Sequence, residues 1–217
     1  SGIHFESGTH KKDFLFDAVL GKDCTQQHLY KFTAKRVLKK VLGGYNGTCF
    51  AYGQTGSGKT YTMEGNADRP GIIPLVCSDM FDYLSEHCSG PGSSYSVEVQ
   101  YLEMYMEELM DLLRDPDDRR DSCKGLRIHE DPVHGVHVTG ATLLSVGSTD
   151  DILRVLQAGS RQRHRASTKM NDVSSRSHAI FTLVIHQHGA DGHSGEERGE
   201  GKGGDGGGVK LAMASRF

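Results

Sequence analysis

The 217-residue chain carries 25 Lys and Arg against 28 Asp and Glu, and its net charge of -3 argues against wholesale adhesion to nucleic acid or membrane. Its 36% hydrophobic content supports one domain with its own core, and no apolar run approaches membrane-spanning length. Five cysteines, odd in number and never in a Cys-x-x-Cys pair, argue against a disulfide framework or zinc site and favour a reducing, cytosolic compartment. The N-terminus lacks a signal-peptide pattern, and Ser1 in place of Met suggests a fragment.

In chain order, Phe14-Leu15-Phe16 reads as a short buried strand. Between Gln27 and Leu42 the residues Tyr30, Ala34, Val37, Leu38, Val41 and Leu42 share one helical face, which predicts a single helix stopped by Gly43-Gly44. Thr48–Tyr52 reads as a buried strand running into a glycine loop, and a helix can start after Lys59. Leu75–Leu84 predicts a helix, and the alternation of Tyr95, Val97, Val99 and Tyr101 with polar residues predicts a strand. Glu107–Leu113 reads as a short helix, and Leu126–His129 with Val136–Val138 as a hairpin around Asp131-Pro132. Asp150–Leu156 predicts a helix and Ile180–Ile185 a continuous buried strand. The alternation implies an α/β layered fold. Half of the positions from Gly189 to Gly208 are glycine, with no aromatic residue, Leu, Ile or Val, so that stretch reads as a disordered insertion. It follows a domain over 1–188 and precedes a last strand start over 209–217.

The chemistry concentrates in Gly53-Gln54-Thr55-Gly56-Ser57-Gly58-Lys59-Thr60. Glycines at this spacing let successive backbone N–H groups turn inward around phosphates, and a following helix presents its positive end. Lys59 would reach the β- and γ-phosphates, and the Thr60 hydroxyl would ligate magnesium. By itself this loop implies binding of a nucleoside triphosphate with magnesium, and no more.

A second constellation, Asn171-Asp172-Val173-Ser174-Ser175-Arg176-Ser177-His178, precedes the strand at Ile180. On composition alone a polar loop leading into a sheet edge explains it equally well. Together with Gly53–Thr60, however, it resembles the switch I signature of the kinesin motor domain. Supporting stretches are Gly44–Gly53, Thr60–Gly65, Gly71–Pro74, Glu103–Glu107, Asp111–Leu113 and Ile128–Asp131, so the resemblance runs from Phe14 to Ile185 in order. It implies a P-loop NTPase fold with a mixed, mostly parallel central sheet flanked by helices. It also implies a microtubule-stimulated ATPase that uses ATP and Mg2+, moves on microtubules and resides on the cytoplasmic cytoskeleton.

On that resemblance Ser174 and Ser175 close over the γ-phosphate, with Ser175 joining Thr60 on magnesium. Asn171 helps hold the closed switch, and Arg176 pairs with a switch II glutamate. Tyr61 stands at the adenine-stacking position, although packing on the sheet is its alternative. The Arg127–Val138 region corresponds to part of the microtubule-facing surface. The family's first strand would precede Ser1, and its Asp-Leu-Ala-Gly-Ser-Glu would stand where Ala214–Phe217 end the chain. The expectation is therefore a motor domain truncated before switch II, with weak or lost activity in this chain. Its alternative is a non-catalytic nucleotide- or tubulin-binding fragment.

Other features carry less. His129-Glu130-x-x-x-His134 is one residue longer than the zinc-protease spacing, and Pro132 forbids the helix that motif needs. Five basic residues between Arg161 and Lys169 read as a solvated helix end, or as contact with nucleotide or with acidic tubulin.

Overall fold

The computed structural model describes residues 1–7, 10–88, 90–114, 125–132, 135–169, 177–188 and 208–216. The Gly-rich stretch 189–207 lies outside them. Strands β1 (Gly2–Ser7) and β2 (His10–Leu15) form an antiparallel hairpin of their own. The central sheet contains β3 (Gly47–Tyr52), β4 (Ser94–Tyr105), β5 (Glu108–Asp111), β8 (Leu144–Val146), β9 (His178–His188) and β10 (Val209–Arg216). Its order is β3-β10-β9-β4-β5, with β8 also on β4. The sheet is mixed: among the described strands only β3 and β10 run parallel, and β10–β9–β4–β5 are successively antiparallel. A separate hairpin joins β6 (Arg127–Asp131) to β7 (Gly135–Thr139), as the turn residues predict.

The period of two along each strand decides which face is buried. Register brings Tyr101, Phe181 and Met213 into one row across the sheet, and Val99, Leu183 and Leu211 into the next. All six are buried. Onto this face pack α1 (Gln26–Phe32), α2 (Ala34–Leu42), α4 (Ile72–His87) and α5 (Thr149–Lys169). They contribute Tyr30, Leu38, Val41, Val76, Met80, Leu84, Ile152 and Leu156 to a single core. Full burial of each such side chain stabilises by roughly 1.5–3 kcal/mol.

Several elements differ from the sequence expectation, each for a local reason. The 27–42 helix is two helices, because Thr33 leaves helical geometry (φ -115, ψ -88) and its hydroxyl donates to the Leu29 carbonyl at 2.7 Å. Helix α4 starts at Ile72, so Pro74 occupies the first turn, where its missing N–H costs nothing. Residues 108–111 form a strand, not a helix. Met106 and Glu107 both have positive φ (49° and 66°), reversing the chain so that β5 pairs along β4. Strand β9 buries only alternate residues, and β3 exposes Phe50 (67%) and Tyr52 (75%), so neither is continuously buried. Phe14, Leu15 and Phe16 are likewise exposed on and beside the β1–β2 hairpin.

Helix α5 is much longer than periodicity alone shows. Ser148 starts it reciprocally: its hydroxyl accepts from the Asp151 N–H at 3.1 Å and donates to the Asp151 carboxylate at 2.8 Å. Asp150 and Asp151 in the first turn complement the helix dipole. The helix lies so close to β4 that a Cβ on Gly159 would sit 2.3 Å from the Tyr101 ring. This approach sets Ser160 beside Glu64, at the end of the helix that follows the glycine loop, and Arg163 beside Glu103 on β4.

Candidate functional site

The glycine loop leaves β3 at Tyr52 and ends in α3 (Lys59–Met63). Gly56 and Gly58 have φ of 78° and 88°, a region L-residues with side chains adopt only at a cost, so these two positions need glycine. Gly58 caps α3 in this left-handed conformation, and Ser57 N–H donates to the Gln54 carbonyl at 3.2 Å. Helix α3 has only five residues, so the loop N–H groups and the Lys59 ammonium outweigh its short dipole as the positive features of this turn.

Lys59 is 7% exposed, and its ammonium donates to the carbonyls of Gly53 at 2.8 Å and Gln54 at 2.6 Å. It therefore folds back across the loop it follows. Burial, and then the positive charge of Arg163, hold its pKa below the ordinary lysine value. Thr60 and Tyr61 are exposed beside it, Tyr61 at 42%. The Thr60 hydroxyl is a hard oxygen donor of the kind magnesium takes. Gln26, at the start of α1, donates to the Tyr61 carbonyl at 2.5 Å and anchors α3 from below.

Asn171, Ser174, Ser175 and Arg176 lie outside the described residues. The two residues that follow them are described. Ser177 is fully buried and His178 opens β9. Ser177 belongs to a polar cluster that sequence reasoning did not assemble. Arg163 Nε donates to Glu103 Oε1 at 3.0 Å, and its second terminal nitrogen donates to Ser177 Oγ at 3.0 Å and to the Ser177 carbonyl at 3.2 Å. The Ser177 hydroxyl in turn donates to Glu103. One helical turn earlier, Ser160 donates to the Glu64 carboxylate at 3.3 Å and meets the Tyr101 hydroxyl at 3.4 Å. Burial first, then the nearby Glu64 charge, push the Tyr101 phenol up to about 12. The available signal for the cluster was Glu103, a carboxylate on the same buried alternation of β4 as Val97, Val99 and Tyr101.

The β6–β7 hairpin exposes Ile128 (61%) and Val136 (63%), and the rings of His129 and His137 stack at 6.0 Å. Residue 134 lies outside the description. Among the described residues no three metal-ligating side chains cluster, and no helix is long and apolar enough to cross a membrane.

A glycine loop on the parallel strand pair, followed by a buried lysine, defines a P-loop protein. The sequence matches the kinesin motor domain family over residues 2–202. It is 40% identical over 201 residues to "Kinesin-like protein 3" of Schizosaccharomyces pombe, covering 91% of this chain and 34% of that protein. It is 41% identical over 184 residues to human "Kinesin heavy chain isoform 5C", covering 83% of this chain and 18% of that protein. A solved structure of a fast kinesin superposes with a TM-score of 0.81 at 34% identity, over 98% of this chain and 56% of that one. The chain belongs to the kinesin motor domain family. It spans about a third of the first of these relatives and under a fifth of the second.

Proposed function

We propose that this chain is the nucleotide-binding part of an ATP-driven microtubule motor of the cytoskeleton. The observation that carries the reading is the P-loop itself, with Lys59 buried and hydrogen-bonded across Gly53 and Gln54. On this reading the loop N–H groups from Gly53 to Lys59 receive the phosphates, with Gln54, Thr55 and Ser57 supplying part of the cradle. Lys59 exchanges two neutral carbonyl acceptors for charged phosphate oxygens, a stronger hydrogen bond. Thr60 and Ser175 would hold magnesium, which neutralises charge on the phosphate oxygens.

Asn171, Ser174, Ser175 and Arg176 are assigned, from the family signature, to enclosing the γ-phosphate and the attacking water. Catalysis is then positioning plus charge stabilisation, since phosphoryl transfer leaves little covalent work for side chains. Tyr61 is half exposed next to the loop, which suits a flat contact with adenine. The exposed β6–β7 hairpin suits a share of the microtubule contact.

The test is ATP hydrolysis measured with and without polymerised tubulin, alongside co-sedimentation. Stimulation by microtubules supports the motor reading. Nucleotide binding with no turnover at any tubulin concentration would leave a non-catalytic binding module in its place.

A further inference from the structure

We propose that Gln26 is a positioning residue for the phosphate site: from α1 it caps the C-terminal end of α3 and so fixes where Lys59 and Thr60 stand. This role rests on the nucleotide-binding reading above and deepens it. Helix α3 spans only Lys59–Met63, far short of the length at which a helix holds its own shape in water. The N–H groups of Glu64 and Gly65 both donate to the Thr60 carbonyl, at 2.8 and 3.4 Å. Those are the groups that could have closed the next turn onto Tyr61, so the Tyr61 carbonyl is left to a donor from outside the helix. Gln26 supplies it. Its side-chain amide donates to the Tyr61 carbonyl at 2.5 Å, across 35 positions of sequence.

The donor is itself held in place. Gln26 is 9% exposed, Thr25 caps α1 by accepting from the His28 N–H at 3.1 Å, and the buried Tyr30 donates its hydroxyl to Asp79 on α4 at 2.7 Å. A buried amide is costly unless it is hydrogen-bonded, so packing alone gives little reason for a glutamine here. Position gives a better one. The carbonyl it meets lies two residues from Lys59, or about 3 Å along the helix axis. In a helix this short, fraying at Tyr61 reaches Lys59 and Thr60 directly, whereas a long helix would absorb it. The close crossing of Gly65 over Gly71 and the Ser160–Glu64 hydrogen bond fix the chain just beyond α3. Gln26 acts inside it. The Tyr61 ring is carried by the same residue, so the amide also sets where that exposed ring stands beside the loop.

The experiment is equilibrium titration of the chain with fluorescent Mg-ADP and a fluorescent non-hydrolysable Mg-ATP analogue, with folding checked by far-UV circular dichroism. Gln26→Met keeps side-chain length and helix propensity but removes the donor. Tyr30→Phe is the control, because it removes a hydrogen bond of the same helix that does not touch α3. Gln26→Met should weaken both nucleotides about 5-fold, the effect of leaving one carbonyl unpaired. The two losses should match, since the β-phosphate that Lys59 reaches is common to both nucleotides. Tyr30→Phe should bind within about 2-fold of the parent, although it too lowers the melting temperature. A merely structural role would move the melting temperature in both variants and the affinity in neither. If Gln26→Met fails to fold, Gln26→Asn, one methylene too short to span the bond, decides by the same criterion. Parental affinity in the folded variant, or an equal loss in Tyr30→Phe, overturns this role and leaves the P-loop reading standing. A parent chain that binds neither nucleotide overturns both.

Discussion

Gly159→Ala probes how tightly α5 is seated on the sheet. In an isolated helix the change would stabilise by up to about 1 kcal/mol, because alanine is the better helix former. Here the new Cβ would lie 2.3 Å from Tyr101 Cδ1 and 2.7 Å from Cε1. Ordinary carbon contacts are near 3.5–4.0 Å, so helix or ring must move by more than about 1 Å. The ring has little freedom: Tyr101 is 2% exposed and packs edge-on against Phe181 at 5.3 Å. Overpacking of this kind costs typically about 1–3 kcal/mol. After a helix gain of about 1 kcal/mol is subtracted, a net loss of up to about 2 kcal/mol remains, or up to roughly 8 °C in Tm for a chain of this size. Thermal unfolding followed by far-UV circular dichroism reads it directly. A variant that melts higher than the parent would refute the close packing of α5 on β4, and with it the placement of Arg163.

Other outcomes follow from single features. Replacing Met106-Glu107 by Asn-Gly should stabilise by about 1 kcal/mol, since both residues sit at positive φ in a hairpin turn that favours that pair. No rise in the denaturation midpoint would contradict the turn geometry. Burial alone would raise the Asp79 pKa, but hydrogen bonds from Lys35 and Tyr30 outweigh it and hold the carboxyl below its ordinary value. Its stabilising contribution is thus present above the unfolded carboxylate pKa, about 3.9, and is lost as pH falls through the lower folded value. The stability gap between the parent and Asp79→Asn should be widest near neutrality and narrow below about pH 4. A gap independent of pH would sink that assignment.

What was legible in the sequence follows the range of the forces involved. The P-loop was readable because its chemistry is local: glycines, Lys59 and Thr60 are consecutive, and β3 and α3 flank them. The alternation in Tyr95–Tyr101 likewise announced β4 and its buried face. Where a tertiary partner decides, the reading failed. Residues 108–111 have a helical look alone, yet the hairpin turn at Met106-Glu107 brings them alongside β4, where their backbone groups find partners. Thr33 broke a helix whose apolar face continues smoothly across it, through a side-chain hydrogen bond that periodicity does not register. Phe50 and Tyr52 are as apolar as the core residues, and only their register places them on the face of β3 opposite the helices, at the edge of the sheet among the described strands. Glu103, Arg163 and Ser177 are spread over 74 positions, and nothing local marks them as neighbours.

The most direct test of the central reading is calorimetric titration of Mg-ADP and Mg-ATP into the parent chain and into Lys59→Ala. The parent should bind both, and the variant should bind at least about 10-fold more weakly, the loss of one charge-assisted hydrogen bond to phosphate. Equal affinity in parent and variant, or no binding by a folded parent, would contradict a phosphate site at Gly53–Thr60.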